Sequence, residues 1–323
     1  LNALTHKMIL SMEKKLIEWR NNQSVTGVMI EADGNRAFCA GGDITELYEA
    51  GLNGDFNFGK RFWADEYRLN SIIACYPKPY IVFMQGYTMG GGVGISCHGS
   101  HRIVGKSSKV AMPEVSIGLV PDVGGSFLLS NAPENIGTFL ATTGYQMNAA
   151  DAIYSGFADY FIPENEWPSL RDAIIYSSDL KIIDKYTTGQ PHSRLNQLSP
   201  QIGWIVDENQ KKTEFLKKIG SVPDLKPELD RFQKASPIAI AATFQILQNP
   251  LVGLSVNNAL EIEFRYTSRA QQFSDFQEGV RAMVIDKDRK PIWKHKNLEA
   301  VTQFEVNKLL APLSKIDTQL LKL

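Results

Sequence analysis

Glu114 and Asp122 lie eight positions apart in "AMPEVSIGLVPDVGG" (111 to 125), a segment that is otherwise almost wholly apolar. A carboxylate there costs free energy unless it is paired, hydrogen-bonded or left protonated. One reading is structural: Glu114 sits near the mouth of a turn, and Asp122 caps a helix starting near Gly125. The other is chemical, with both acids converging on one pocket, one as nucleophile or base and the other steering protons or water. Two glycine clusters add a second kind of chemistry. In "AFCAGGDI" (37 to 44) the chain leaves an apolar strand and turns at Gly41 and Gly42; in "GYTMGGGVGIS" (86 to 96) a strand gives way to a helix within Gly90, Gly91 and Gly92. Such turns expose unpaired backbone N–H groups to close approach, and two of them brought together would donate to one oxyanion. Each cluster alone also fits an ordinary glycine turn at a strand end.

Other chemistries find no motif. "GGGVG" lacks the G-x-G-x-x-G register, and no Gly-Lys-Ser/Thr follows, so nucleotide phosphate binding by those routes is not indicated. Ser96 is followed by Cys97 and His98, so no nucleophile elbow exists. "CHGSH" (97 to 101) offers one cysteine and two histidines without a partner cluster, which favours structural roles over zinc. "DKDRKPIW" (286 to 293) starts like a calcium loop but lacks its glycine and closing glutamate. Glu13, Lys14 and Lys15 read as a solvated helix face.

The elements that must position these residues alternate. Asn2 is placed to cap a helix over 3 to 20, with Leu4, Met8, Met12 and Leu16 recurring every four residues. A short β-branched run follows at 26 to 32, then a long helix from about Phe58 to Cys75 and strands at 79 to 86 and 101 to 105. This predicts an α/β layer structure. From about 127 the reading becomes mainly helical, with Gly144 as a C-cap and a helix running from a capping Asn148 to Gly156. Residues 186 to 203, rich in Gly, Pro, Ser and Thr, read as a connector, and the soft boundary falls there or near 165. Amphipathic helices are expected at 237 to 248 and 256 to 273.

At 323 residues and 43% hydrophobic content the chain buries a full-sized core. Its 34 basic and 35 acidic side chains give a formal charge of −1 without long runs, so bulk charge suggests neither nucleic acid nor an anionic membrane as partner. No window is long and apolar enough to span a bilayer, and no signal peptide begins the chain. Cys39, Cys75 and Cys97 suit a reducing compartment, cytoplasmic or organelle matrix. The opening residues read like the interior of a protein, so a preceding segment is expected.

In this order, "AFCAGGDI", "GYTMGGGVGIS" and "AMPEVSIGLVPDVGG" resemble the crotonase (enoyl-CoA hydratase/isomerase) superfamily. "DEYRLN" (65 to 70) and "DFQEGVRAMVIDKDRKPIW" (275 to 293) are similar to its 3-hydroxyisobutyryl-CoA hydrolase branch. The likeness runs from residue 1 to about 160 and from about 235 to 295; the part between, including 186 to 230, is not distinctive. The resemblance implies a spiral of β-β-α units with a C-terminal helical region: a core over 1–165 and a mainly helical part over 166–323. It implies that Gly42 and Gly91 form the oxyanion hole, that Glu114 and Asp122 are the hydrolytic acids, and that Glu66 contacts substrate. No cofactor is implied, because CoA is part of the substrate. Acyl-CoA is the expected partner, and a homo-oligomer is possible because relatives of this kind form trimers.

The same likeness separates two reactions. Enoyl-CoA hydratases carry a second glutamate two residues after the glycine triplet, where this chain has Gly94. Hydration needs a base for water and an acid for the α-carbon, and one is missing here. The remaining alternatives are a hydratase or hydrolase of another short 3-hydroxyacyl-CoA, and a non-catalytic subunit of a larger assembly. The family's N-terminal hairpin does not precede "LNAL"; its true absence would expose a sheet edge.

Overall fold

The computed structural model describes residues 1–177, 179–205 and 212–323. Seven short strands form two wholly parallel sheets: β1 (Val28–Ile30), β2 (Ala37–Cys39), β3 (Tyr80–Met84), β4 (Tyr87–Met89), β5 (His101–Val104), β6 (Lys109–Ala111) and β7 (Tyr160–Phe161). Odd strands build a four-stranded sheet in the order β1-β3-β5-β7, and even strands a three-stranded sheet in the order β2-β4-β6. Each turn of the chain adds one strand to each sheet and then a helical segment, the expected β-β-α spiral. The step between sheets is tight. At the β3–β4 corner Gly86 has φ +57°, and a Cβ there would stand 2.1 Å from the Arg36 carbonyl oxygen, so only glycine fits.

Pleating sorts the core. Tyr80, Val82 and Met84 of β3 face a large apolar cluster that runs from Leu4 to Leu321, whereas Ile81 and Phe83 face a smaller one with Ile103, Leu170 and Ile174. All five residues of β3 are therefore buried, as in a parallel sheet covered on both faces. The helix Trp167–Ser177 covers the outer face, and no strand follows β7 among the described residues. The helices Phe56–Ala74 and Val256–Phe273, capped by Asp55 and Ser255, pack against one another with the Tyr67 and Phe264 rings 5.9 Å apart.

Local expectations hold where the cap and period agree. Asn148 closes a reciprocal capping box with Asp151, and Gly144 ends its helix in the left-handed region at φ +57°. Two expectations are corrected, and two short strands went unread. The first helix is His6–Arg20, capped by Thr5; the Asn2 side chain instead donates to the Asp33 and Ala37 carbonyls. β6 and β7, of three and two residues, carry too little pattern to be read. The connector at 186 to 203 is partly a helix, Arg194–Ile205, which buries Leu195, Leu198 and Ile202 at helical spacing. Pro200 within it lacks an N–H, and the Ser199 hydroxyl donates to the Asn196 carbonyl (3.0 Å) in its place. Residues 206–211 of the undistinctive stretch lie outside the described residues.

Candidate active site

The three even strands end side by side, and each is followed by a turn that supplies part of one cavity. After β2 come Gly41 and Gly42, after β4 come Gly90 and Gly91, and after β6 come Pro113 and Glu114. Ligands of parallel sheets favour this carboxyl edge. The cavity, about 210 Å³, is closed by Phe62, Trp63 and Glu66 of the helix Phe56–Ala74, by Asp122, and by Val284. A wider surface groove of about 640 Å³ lies at the ends of the other sheet's strands, beside Phe83, Lys106 and Trp167, and holds none of the glycine turns or buried carboxylates of this cavity.

The glycine turns face each other. A Cβ on Gly91 would stand 3.1 Å from the Gly42 nitrogen and 2.6 Å from Glu66 Oε1; one on Gly90 would stand 2.9 Å from Glu114 Oε1. Gly91 opens a helix, Gly91–Ser96, so its amide has no intrahelical acceptor. The Gly42 amide donates to no backbone carbonyl among the described residues: the flanking bonds run from Leu4 N to Gly41 O and from Asp43 N to Leu4 O. Two free donors thus meet within reach of two carboxylates.

Three acids share this space, each at most 5% exposed: Glu66, Glu114 and Asp122. Glu66 Oε1 and Glu114 Oε2 are buried without a hydrogen-bond partner. Burial first, and then charge on Asp122, holds both well above the usual carboxylate range. Burial raises Asp122 to about 7, against the pull of the Tyr67 hydroxyl, which donates to its Oδ2 at 2.8 Å. Asp122 is therefore the acid that ionises most readily near neutral pH, and its charge suppresses ionisation of the other two. Its carboxylate does not cap the helix Gly125–Ser130, whose N-cap is Gly124 with no side-chain bond, so the structural reading of Asp122 is overturned.

The structure brings together all five residues singled out from the sequence: Gly42, Glu66, Gly91, Glu114 and Asp122. Gly94 is not among them. A Cβ at Gly94 would stand 2.7 Å from both Asn70 Nδ2 and Val123 Cβ, so no acidic side chain fits at that position without displacing them. Sequence reading missed Tyr67, which also lies 3.2 Å from Thr267 Oγ1, and Glu263, a fully buried acid raised to about 8 by burial. Their partners are 55 to 200 residues away, and no local pattern marks such contacts.

The "CHGSH" histidines take structural places. His98 Nε2 meets the Val123 carbonyl at 2.8 Å, and burial lowers this imidazole to about 4, so it stays neutral and donates there. His101 stacks on Tyr160. Among the described residues no group of three or more His, Cys, Asp or Glu side chains is arranged to hold a metal ion, and none of the three cysteines forms a disulfide.

Comparison with known proteins places the fold in a family. Residues 1–310 match the enoyl-CoA hydratase/isomerase family. A mitochondrial 3-hydroxyisobutyryl-CoA hydrolase of Danio rerio is 33% identical over 99% of this chain and 86% of its own; the Homo sapiens protein of that name is 33% identical over 98% and 85%. Among solved structures, an enoyl-CoA hydratase from Rhodobacter sphaeroides 2.4.1 superposes with TM-score 0.91 at 46% identity, covering 96% of this chain and 91% of that one. A carnitinyl-CoA dehydratase from Mycobacterium thermoresistibile gives 0.91 at 34% identity, covering 97% and 91%.

Proposed function

The chain belongs to the enoyl-CoA hydratase/isomerase family, and from that premise we propose that it hydrolyses an acyl-CoA thioester, with 3-hydroxyisobutyryl-CoA as substrate. The observation that carries the choice of hydrolysis is the closed space at Gly94. Hydration calls for a second carboxylate there, and Asn70 and Val123 leave no room for one. The named function of the full-length relatives supports the acyl group, and a cavity of about 210 Å³ with three acids suits a short, hydroxylated chain. No helix among the described residues is long and apolar enough to cross a membrane.

In this mechanism the thioester carbonyl oxygen accepts from the Gly42 and Gly91 amides. Glu114, once ionised, either attacks the carbonyl carbon to give a mixed anhydride or takes a proton from the water that attacks it. The C–S bond breaks, CoA leaves as thiolate, and water completes the carboxylic acid. Asp122, held by Tyr67, orients that water or the substrate's 3-hydroxyl, and Glu66 shares the hydroxyl through its unpartnered oxygen. No separate cofactor takes part. Burial strengthens each of these contacts, because water does not compete for the charges.

The test is release of free thiol from 3-hydroxyisobutyryl-CoA, followed with a colorimetric reagent, for the wild type and Glu114→Gln, with hydration of crotonyl-CoA in parallel. Rapid release that falls by about a thousandfold or more in the variant is expected. Hydration of crotonyl-CoA without thiol release would replace hydrolysis by the reaction named for the Rhodobacter sphaeroides structure. No turnover of either compound would favour a non-catalytic subunit.

A further inference from the structure

Asp122 is followed by an improbable piece of backbone. Val123 has φ +54° and Gly124 φ +75°; the left-handed region is uncommon for any side chain and an outlier for a β-branched one. Such a turn persists only where its surroundings over-determine it. Val123 is 1% exposed and its carbonyl meets His98 Nε2. The main restraint comes from elsewhere in the chain. Glu263 Oε2 accepts from the Gly124 amide at 2.8 Å, Oε1 accepts from the Ser126 amide at 3.0 Å, and the Ser126 hydroxyl donates to the same oxygen in a shorter contact. Glu263 is 0% exposed, and no arginine or lysine among the described residues pairs with it. An acid buried without a counter-ion is costly, so three donors converging on it are its compensation.

One turn further along the same helix, Thr267 meets Tyr67, the donor to Asp122. Positions four apart share a helix face. The face of Val256–Phe273 that carries Glu263 and Thr267 therefore supports Asp122 twice, through its backbone and through its hydrogen-bond partner. We propose that Glu263 is a positioning residue for the hydrolytic reaction, holding the Val123–Gly124 turn so that the Asp122 carboxylate stays in the cavity. This rests on the reading of Asp122 given above. It makes the helix Val256–Phe273 part of the apparatus that sets the acid's geometry, rather than a cover over the core.

The rival account is that Glu263 merely caps the helix Gly125–Ser130, which would lower stability without regard to Asp122. A kinetic double-mutant cycle separates the two. The full chain is prepared as wild type, Glu263→Gln, Asp122→Asn and the double variant, with the folded fraction measured by thermal unfolding and rates taken per folded molecule. Glu263→Gln keeps the shape but replaces an acceptor oxygen with an amide group. The expected result is a kcat about 10- to 100-fold lower with KM little changed, as a small misplacement of a reacting group produces. In the double variant kcat should be no lower than in Asp122→Asn alone. Multiplicative losses would overturn the proposal, because Glu263 would then act independently of Asp122. Unchanged kcat in Glu263→Gln beside an impaired Asp122→Asn would overturn the clamp and leave the reading of Asp122 standing. Full activity in Asp122→Asn would remove that reading and the clamp's purpose with it. Should Glu263→Gln fold poorly, Ser126→Ala removes one donor without touching the cavity, and its smaller kcat loss must vanish in the same Asp122→Asn background.

Discussion

The central physical fact about this site is that its acids are poorly solvated and mutually repulsive. Glu114 must lose its proton to act, yet burial and the negative charge of Asp122 both oppose that loss. Removing the charge in Asp122→Asn lowers the Glu114 pKa. The acidic limb of the pH–kcat/KM profile should therefore move to lower pH in this variant even as the maximal rate falls; a limb that stays in place would show that Asp122 does not set the ionisation of Glu114. A glycine supplies the second prediction. A methyl at Gly91 would stand 2.6 Å from the movable end of Glu66 and 3.1 Å from the Gly42 amide, in backbone that is not in the left-handed region. Gly91→Ala should fold with little change in unfolding temperature but lose about 10²- to 10³-fold in kcat, the usual cost of one oxyanion donor. Circular dichroism melts beside thiol-release kinetics would check both halves. These residues were legible in the sequence because carboxylates in an apolar run and glycines at strand ends are conspicuous locally. Tyr67, Asn70 and Glu263 were not, because a buried tyrosine, asparagine or glutamate on an amphipathic helix carries no sign of what it will face.

At the scale of elements, the outcome depended on whether the local signal and the tertiary demand agreed. β3 was plain, being a five-residue apolar run buried on both faces. β6 was hidden, since three residues between turns give no period to detect, although its end leads to Glu114. The helix Arg194–Ile205 was masked by composition: Pro200 reads as a breaker, while Leu195, Leu198 and Ile202 keep helical spacing and are buried. What makes the proline tolerable is Ser199, 2% exposed, whose hydroxyl satisfies the Asn196 carbonyl that lacks an amide partner. Ser199→Ala leaves that carbonyl short of its donor and should cost about 1 to 3 kcal/mol of stability. Denaturant unfolding measures the loss, and kcat per folded molecule should be unchanged, since the residue lies outside the cavity.

Across the whole molecule, the acids that suit the site for chemistry work against its stability as pH rises. Asp122 and Glu263 have folded-state values of about 7 and about 8, above the values of about 4 that carboxylates have in an unfolded chain. A raised pKa means that the folded state holds protons the unfolded state has released. Their contribution is complete below about pH 4 and is lost as pH climbs through the folded values. Other carboxylates pull the opposite way. Glu278, Asp288 and Asp317 are held below their usual values by Arg281 or by Ser314 and Lys60, and their contribution disappears only in acid. The wild-type curve mixes both sets, so the informative quantity is a difference. Asp122→Asn keeps an acceptor for the Tyr67 hydroxyl but cannot ionise, and below about pH 7, where Asp122 is still neutral in the folded wild type, the other acids of the cavity feel no difference between the two proteins. The unfolding free energy of the variant minus that of the wild type should rise between about pH 4 and 7, with a slope approaching about 1.4 kcal/mol per pH unit, and then level off. Urea titrations at pH 5, 6, 7 and 8 would trace it. A flat difference would mean that Asp122 ionises as readily in the fold as in water, and the argument that its charge restrains Glu114 would lose its basis. A rising one would show that ionising Asp122 costs the fold stability as pH nears neutrality, which is expected where a buried acid is retained for its chemistry rather than for packing.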